Sequence, residues 1–378
     1  MLGSEQSIPM PLDTSLWRGR RVFLTGHTGF IGGWTASVLH ELGAFVHGYA
    51  LAPPTKPSFF DLCGLGSRIE ATTGDVRQRT RVAQACAAAR PEVVIHLAAQ
   101  PLVAVGYSNP VETFETNVMG TVHLIECVRT CGAAAVVVMT SDKVYRDPQS
   151  RNTEEDRLGG TDPYSGSKVC AETVAEVYAT SFLERRRIPV ATVRAGNVVG
   201  GGDWAAYRLV PDAVRAFGSG VPLKIRRPGA VRPWQHVLDA VHGLLLVAQH
   251  TLKKGQRYAA WNIGPASARR LTVGEVADLA ASAWGASASV VRGSDAAFAE
   301  TEVLTIDSRR ARATLGYEQP WSLPQVVGRT IEWYRQALRG DDAWKLSLRQ
   351  INAYFGACAS FKAHTNIGRS DDEQRKLR

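Results

Sequence analysis

The sequence predicts an α/β protein: a doubly wound parallel sheet with a smaller C-terminal substrate domain. Three observations carry that prediction. Short apolar, β-branched runs alternate with segments of helical period through the first half of the chain. A glycine triplet lies between the first such run and the first helix. After about residue 196 the alternation gives way to a texture rich in Gly, Pro and Arg.

The elements follow in order. "RRVFLTG" reads as the first strand, and "GGWTASVLHELGA" as a helix closed by Gly43. "FVHGYAL", "RIEATTGD", "EVVIHLAA", "AAAVVVMTS" and "PVATVRAGNVVG" read as strands two to six. "NVMGTVHLIECVRTC" and "SKVCAETVAEVYATSFLERR" are helices between them. The strand runs are almost continuously apolar, as expected when helices cover both sheet faces. "YRLVPDAVRAFGSG" is a short helix, and "VPLKIRRPGAVRPWQHV" carries four basic residues and three prolines. "VLDAVHGLLLVAQ" is a helix that returns to the sheet. The expected division is a flexible leader at 1–16, a dinucleotide-binding domain at 17–196 plus about 236–263, a substrate domain at about 197–235 plus 264–360, and a charged tail at 361–378.

Composition narrows the classes. The chain has 378 residues, 45% hydrophobic and 21% charged, which is ordinary for a soluble globular protein. No apolar run is long enough to span a bilayer, so no membrane partner is expected. The start, "MLGSEQSIPMPLDTSLW", lacks the basic-then-apolar pattern of a secretory signal. The six Cys are scattered, and a reduced, cytoplasmic protein is expected. Cys127 and Cys131 share a helix face and read as packing; no metal site is expected. The net charge of +9 is dispersed and not interleaved with aromatics. Nucleic acid is therefore not an expected partner, whereas a small anionic ligand such as a nucleotide diphosphate is.

The chemistry begins in "TGHTGFIGG", where Gly26, Gly29 and Gly32 lie with His27, Thr28, Phe30 and Ile31 between a strand and a helix. Glycines there allow a tight turn and close approach to a pyrophosphate at the helix N-terminus. His27 reads as orienting the backbone. The second strand ends in "GYALAPPTKPS" without the acid that usually holds the NAD ribose, and Lys56 is compatible with a 2′-phosphate. The residues thus leave NAD and NADP open. Asp75, in "TGDV", either meets the adenine edge or caps a helix.

In "DPYSGSKVCAE", Tyr164 and Lys168 are four apart and share a helix face. An ammonium near a phenol is expected to lower its pKa, so that Tyr164 takes a proton from a substrate hydroxyl. Asp142 and Lys143 follow Ser141 at the end of the fifth strand. An acid and a base beside a redox centre suit elimination of water: Asp142 protonates a departing hydroxyl, and a neutral Lys143 removes a carbon-bound proton. The alternative is that Asp142 caps a turn and Lys143 is solvated. Arg208 and Arg232 are planar cations suited to a pyrophosphate, or else surface ion pairs. Gln235 and His236 read as structural, and Trp234 as packing near the base or supporting its loop.

The glycine loop, Ser141 and the Tyr164–Lys168 pair together resemble the extended short-chain dehydrogenase/reductase superfamily. "GHTGFIGGW", "HLAAQPLV", "NPVETFETNVMGT", "TSDKVY", "LGGTDPYSGSK", "RAGNVVGGGDW" and "RPWQHVL" narrow the resemblance to the CDP-glucose 4,6-dehydratase family, over residues of about 17 to 356. That resemblance implies a Rossmann sheet, NAD as cofactor, and a nucleotide-sugar substrate, CDP-glucose. It implies a place in deoxysugar biosynthesis, O-antigen included. Val76, Leu97, Ala98 and Ala99 would join the glycine loop and Asp75 at the cofactor. Ser141 would hold the reacting oxygen, and Gln100, Asn197, Arg208 and Arg232 would meet the substrate. It also implies a homodimer or higher homo-oligomer through the helices containing "NVMGTVHLIECV" and "SKVCAETVAEVY". The chain departs from the family at Ile31, Ser141 and Val144, and in a shorter segment after Tyr145 that lacks Trp. Two other functions stand beside this one: a 4-epimerase or reductase of the same superfamily, and a non-catalytic dinucleotide-binding regulator.

Overall fold

A computed structural model describes residues 12–147, 151–255, 257–266, 271–293 and 302–358. The tail expected at 361–378 and the leader's first eleven residues lie outside them. The leader expected through residue 16 is anchored from Leu12 onward. Leu12 and Trp17 are buried in the core, and Asp13 caps the turn Thr14–Leu16. The Asp13 amide donates to Gln249, and its carboxylate pairs with Lys253 at 3.0 Å.

Seven strands form one parallel sheet: β1 (Arg21–Thr25), β2 (Phe45–Ala50), β3 (Glu70–Thr73), β4 (Val93–His96), β5 (Ala135–Met139), β6 (Val190–Ala195) and β7 (Tyr258–Ile263). Their order is β3-β2-β1-β4-β5-β6-β7, so the winding reverses between β1 and β4. This is the doubly wound Rossmann order, in which ligands lie beyond the carboxyl ends of the strands at the reversal. Every residue of β4 and β5 is buried, which is why their runs are apolar without alternation.

The helices that place the site are α1 (Phe30–Glu41), α2 (Arg79–Ala89), α3 (Gly120–Cys131) and α4 (Pro163–Tyr178). Further on are α5 (Leu209–Gly218), α6 (Val237–Lys254), α7 (Val273–Trp284), α8 (Leu323–Leu338) and α9 (Ala343–Ala357). Residues Val237–Thr251 of α6 are all buried, because the helix packs on the sheet and is covered in turn by later elements. The segment after β6 builds a small parallel pair, Leu223–Ile225 with Val290–Arg292, beside α5 and α7.

The core also sets a pH dependence. His27, His96, His236 and His242 are buried, and burial pushes them down to about 4, 3, 3 and 4 respectively. The unfolded chain binds their protons near pH 6.5, so the unfolded state binds more protons below that pH and stability falls as pH falls toward 4. Asp239, pushed up to about 7 by burial, works the other way by holding a proton that the unfolded chain has released. Four imidazoles against one carboxyl approach a difference of three protons, so stability falls by roughly 3 kcal/mol between pH 6.5 and 5.5 and the slope approaches about 4 kcal/mol per pH unit near pH 5. Urea unfolding followed by circular dichroism at pH 7.5, 6.5 and 5.5 tests this. Equal stabilities at 6.5 and 5.5 would contradict it.

Candidate active site

The carboxyl ends of β1, β4, β5 and β6 open on a cleft of about 410 Å³, within the range for small-ligand sites. The glycine turn between β1 and α1 borders it and contributes Ile31 to its lining. Gly26 stands at φ +80°, and a Cβ there would lie 2.7 Å from the Ala98 nitrogen. A Cβ on Gly32 would lie 2.0 Å from the Gly26 oxygen. No larger residue fits either position. Gly29 is the N-cap of α1 and offers no side-chain cap. A dinucleotide pyrophosphate fits this turn, because backbone amides at an uncapped helix start attract anions. Thr28 donates to the Leu51 carbonyl at 3.0 Å, tying the loop to the end of β2. The His27 ring lies over β2, where a Cβ on Gly48 would meet it at 2.5 Å, and packs edge-on to Phe60.

The ends of β3 and β4 hold the next residues. The Asp75 carboxylate is forked by Arg77 at 2.9 and 2.7 Å, and it also accepts from the Arg77 amide. Its helix-cap reading is corrected, since Gln78 is the N-cap of α2. Val76 is buried and fills the space that Gly120 leaves in α3. Leu97 and Ala99 line the cleft. The Ala98 amide donates to Thr25 Oγ1, which meets His96 Nδ1 at 2.6 Å. Gln100 is not among the residues lining the cleft: its amide nitrogen donates to Thr113 at 2.9 Å and its oxygen accepts from the Leu102 amide at 2.6 Å, so the side chain shapes the loop.

Ser141, Asp142, Lys143, Tyr164 and Lys168 all line the one cleft. The buried strand β5 delivers the first three on a single turn, Asp142–Val144, with Ser141 as its N-cap. Asp162 caps α4 by accepting from the Tyr164 and Ser165 amides, and this sets Tyr164 at the mouth of the helix. Ser141 Oγ donates to Asp142 Oδ1 at 3.1 Å and lies near enough to the Tyr164 phenol to favour its ionised form. Lys143 Nζ donates to Asp142 Oδ1 at 3.1 Å. Asp142 is only 1% exposed, and its Oδ2 has no partner among the described residues.

The electrostatics correct one expectation. Burial pushes the Tyr164 phenol up, and the Lys143 ammonium, the Ser141 hydroxyl and Arg208 only partly oppose it. Lys168 points Nζ at the Met139 carbonyl, 3.2 Å away, and the cation that lowers the phenol most is Lys143. Desolvation wins because both groups of the pair are buried. Lys168 is itself pushed down to about 8 by burial, which Glu172 opposes.

One wall of the cleft is basic. Arg208, Arg232, Lys224, Arg226 and Arg227 line it, together with Asn197. Arg208 also reaches Asp203 at 2.8 Å, and Arg232 donates to the Val231 carbonyl at 2.9 Å. The Asn197 carbonyl accepts from the Gln235 amide, which pins the loop after β6. Trp234 donates to the Leu271 carbonyl at 3.2 Å as a loop support. Gln235 donates to the Ile263 carbonyl, and His236 caps α6.

Several positioning residues escaped the sequence reading. Asn117 accepts from the Gln100 amide at 2.8 Å and donates to Ser167 at 2.8 Å, joining the loop after β4 to α4. It sits in a π-turn, Glu115–Met119, a feature frequent near functional sites. Glu172 is buried beneath the site, forked by Arg194 at 3.1 and 3.0 Å and bonded by Thr140, Thr192 and Tyr258. Despite burial, Arg194 holds its carboxyl below the usual range. Tyr207, at φ +64°, and Lys224, Arg226 and Arg227 also lay in the sequence without a motif to mark them.

The sequence profile of the NAD dependent epimerase/dehydratase family matches residues 22–264. A CDP-glucose 4,6-dehydratase of Salmonella typhimurium is 42% identical over 355 residues, covering 92% of this chain and 99% of that protein. A dTDP-glucose 4,6-dehydratase of Streptomyces griseus is 26% identical, covering 83% of this chain and 94% of that protein. Among solved structures, MoeE5 in complex with UDP-glucuronic acid and NAD superposes with a TM-score of 0.72 at 26% identity, covering 84% of this chain and 99% of that one.

Proposed function

The chain belongs to the NAD dependent epimerase/dehydratase family, and on that premise we propose that it is a nucleotide-sugar 4,6-dehydratase, a hydro-lyase that converts CDP-glucose to CDP-4-dehydro-6-deoxyglucose. One observation carries this reading beyond the family: the Asp142–Lys143 pair lines the same cleft as Ser141 and Tyr164. An epimerase or a simple reductase has no use for an added acid and base there.

The residues divide the work as follows. NAD, held by the turn Gly26–Gly32 and by Lys168, supplies a two-electron acceptor for C4 of the sugar and a donor for C6. Tyr164 Oη takes the proton of the C4 hydroxyl while Ser141 Oγ holds that oxygen. A carbonyl at C4 acidifies the C5 proton, which Lys143 Nζ removes. Asp142 Oδ2 gives its proton to the C6 hydroxyl, which leaves as water. As C6 is reduced, Lys143 returns its proton to C5. The proton gained by Tyr164 makes good, through solvent, the one Asp142 gave away.

These roles require a neutral Lys143 and a protonated Asp142. That state differs from the ion pair by one proton moved along the 3.1 Å contact between Nζ and Oδ1. Arg208, Arg232 and their basic neighbours hold the diphosphate.

Incubation with CDP-glucose and mass spectrometry of the product test the reading. A product one water lighter is expected. An isobaric isomer would make the chain an epimerase, and no turnover across a panel of nucleotide sugars would leave a dinucleotide-binding regulator.

The same reading carries a cytoplasmic place in deoxysugar biosynthesis, O-antigen included, and a homodimer. No described helix is long and apolar enough to cross a membrane. Val111, Phe114, Met119, Val177 and Phe182 are exposed apolar residues on neighbouring helices, as a self-association face requires. A monomer mass in sedimentation equilibrium at micromolar concentration would remove the dimer.

A further inference from the structure

At the edge of the sheet opposite the cleft, three thiols converge. Cys86 lies in α2, and Cys127 and Cys131 lie one turn apart in α3. Cys86 Sγ is 3.3 Å from Cys131 Sγ, and Cys127 Sγ is 3.8 Å from it. All three sulfurs lie within 4.8 Å of one another. Cys86 and Cys127 are buried, while Cys131 is exposed at the last residue of its helix.

We propose that these three cysteines form a binding site for a thiophilic divalent cation, Zn²⁺ being the natural occupant, with an open fourth position at the solvent edge. Three arguments support it. First, the spacing fits. A tetrahedral zinc with Zn–S bonds of about 2.3 Å holds its sulfurs about 3.8 Å apart, and the observed separations need shifts of only a few tenths of an ångström to an ångström. Second, the ligand set fits. Three thiolates with a free position suit a soft or borderline cation and exclude Mg²⁺ and Ca²⁺, which take oxygen ligands. Third, the backbone field fits. Each helix leads into the amino end of the next strand, α2 into β4 and α3 into β5, so both helices bring their C-terminal halves to this edge. The partial negative charge at helix C-termini favours a cation and disfavours three bare thiolates.

Packing alone does not require this arrangement. Val82, one turn before Cys86, is fully apolar on the same face, and its carbonyl lies 4.0 Å from Cys127 Sγ. An apolar residue at Cys131, at the solvent edge, would close the helix pair as well. Cys131 instead adds the sulfur that completes the set. The site lies across the sheet from the dehydratase cleft, so its occupancy is independent of the reading of that cleft.

The test uses the full chain, stripped with a chelator and kept reduced under argon. Zn²⁺ is titrated in competition with a chromophoric chelator, and Cd²⁺ is titrated while its thiolate charge-transfer absorbance is read. One equivalent of Zn²⁺ per chain is expected, with a Cd²⁺ band that saturates at the same ratio. Cys131→Ser is expected to weaken Zn²⁺ binding on the order of 100-fold, since a deprotonated thiolate ligand is lost. Cys170→Ser, an exposed thiol outside the cluster, is expected to leave binding unchanged. Circular dichroism melts of both variants establish that they fold. No saturable uptake, equal uptake by Cys131→Ser, or a Cys86–Cys131 disulfide in the reduced preparation would each overturn the proposal.

Discussion

Tyr164→Phe is expected to abolish turnover, lowering kcat by about 10³- to 10⁴-fold, the upper part of the range for general acid–base groups. In the proposed mechanism the phenol takes the C4 hydroxyl proton, and Lys143 and Ser141 favour its ionised form. Phe keeps the ring and its packing and removes only the oxygen, so the fold should survive. Because Tyr164 must lose its proton before any later step, the variant should show no reduced-nicotinamide absorbance in stopped flow, not even in a single turnover. The direction of the phenol's pKa adds a second readout. Burial raises it, so in the wild type the oxidation step should accelerate as pH rises above neutrality, until loss of the Lys168 charge near pH 8 weakens the hold on the cofactor. A Phe variant with a measurable absorbance transient would remove Tyr164 from the base role.

Asp142→Asn and Lys143→Ala are expected to fail later. Both should form reduced nicotinamide and then stall, with overall turnover down by roughly 10²- to 10³-fold, as for loss of one acid or base. The two differ in a way that assigns the roles. In D₂O, Asp142→Asn should still exchange the C5 hydrogen of bound sugar, because Lys143 remains to remove it. Lys143→Ala should not. Asp142→Asn costs little in stability, since Asn retains the acceptor that Ser141 and Lys143 use at Oδ1. Full overall turnover by Asp142→Asn would refute the acid role. C5 exchange in Lys143→Ala would move the base elsewhere in the cleft.

Much of the site was legible because its signals are local. Gly26, Gly29 and Gly32 lie within one turn; Ser141, Asp142 and Lys143 are consecutive; and Tyr164 and Lys168 are held four apart by a helix. What failed was of another kind. Gln100 stands in a motif that suggests substrate, and the motif gives no sign that its amide also ties Thr113 to Leu102. Lys168 shares a face with Tyr164, yet its Nζ turns to the Met139 carbonyl, and burial raises the phenol despite the Lys143 charge. The Glu172–Arg194 pair that braces the strand end joins residues 22 apart in the chain, and no spacing rule announces it. Cys86 lies 45 residues from Cys131, so the sequence showed two thiols on one helix where the fold assembles three.

By itself, then, the sequence determined the alternation of strands and helices, the glycine turn after the first strand, and the identities of the titratable groups that meet in the cleft. Those depend on backbone preferences and on neighbours within about one helical turn. Only the tertiary structure decided which groups are desolvated, whose cation each carboxylate meets, and which distant side chains share a wall. Electrostatic effects grow as water is excluded, and water is excluded only where the packed elements close over a group.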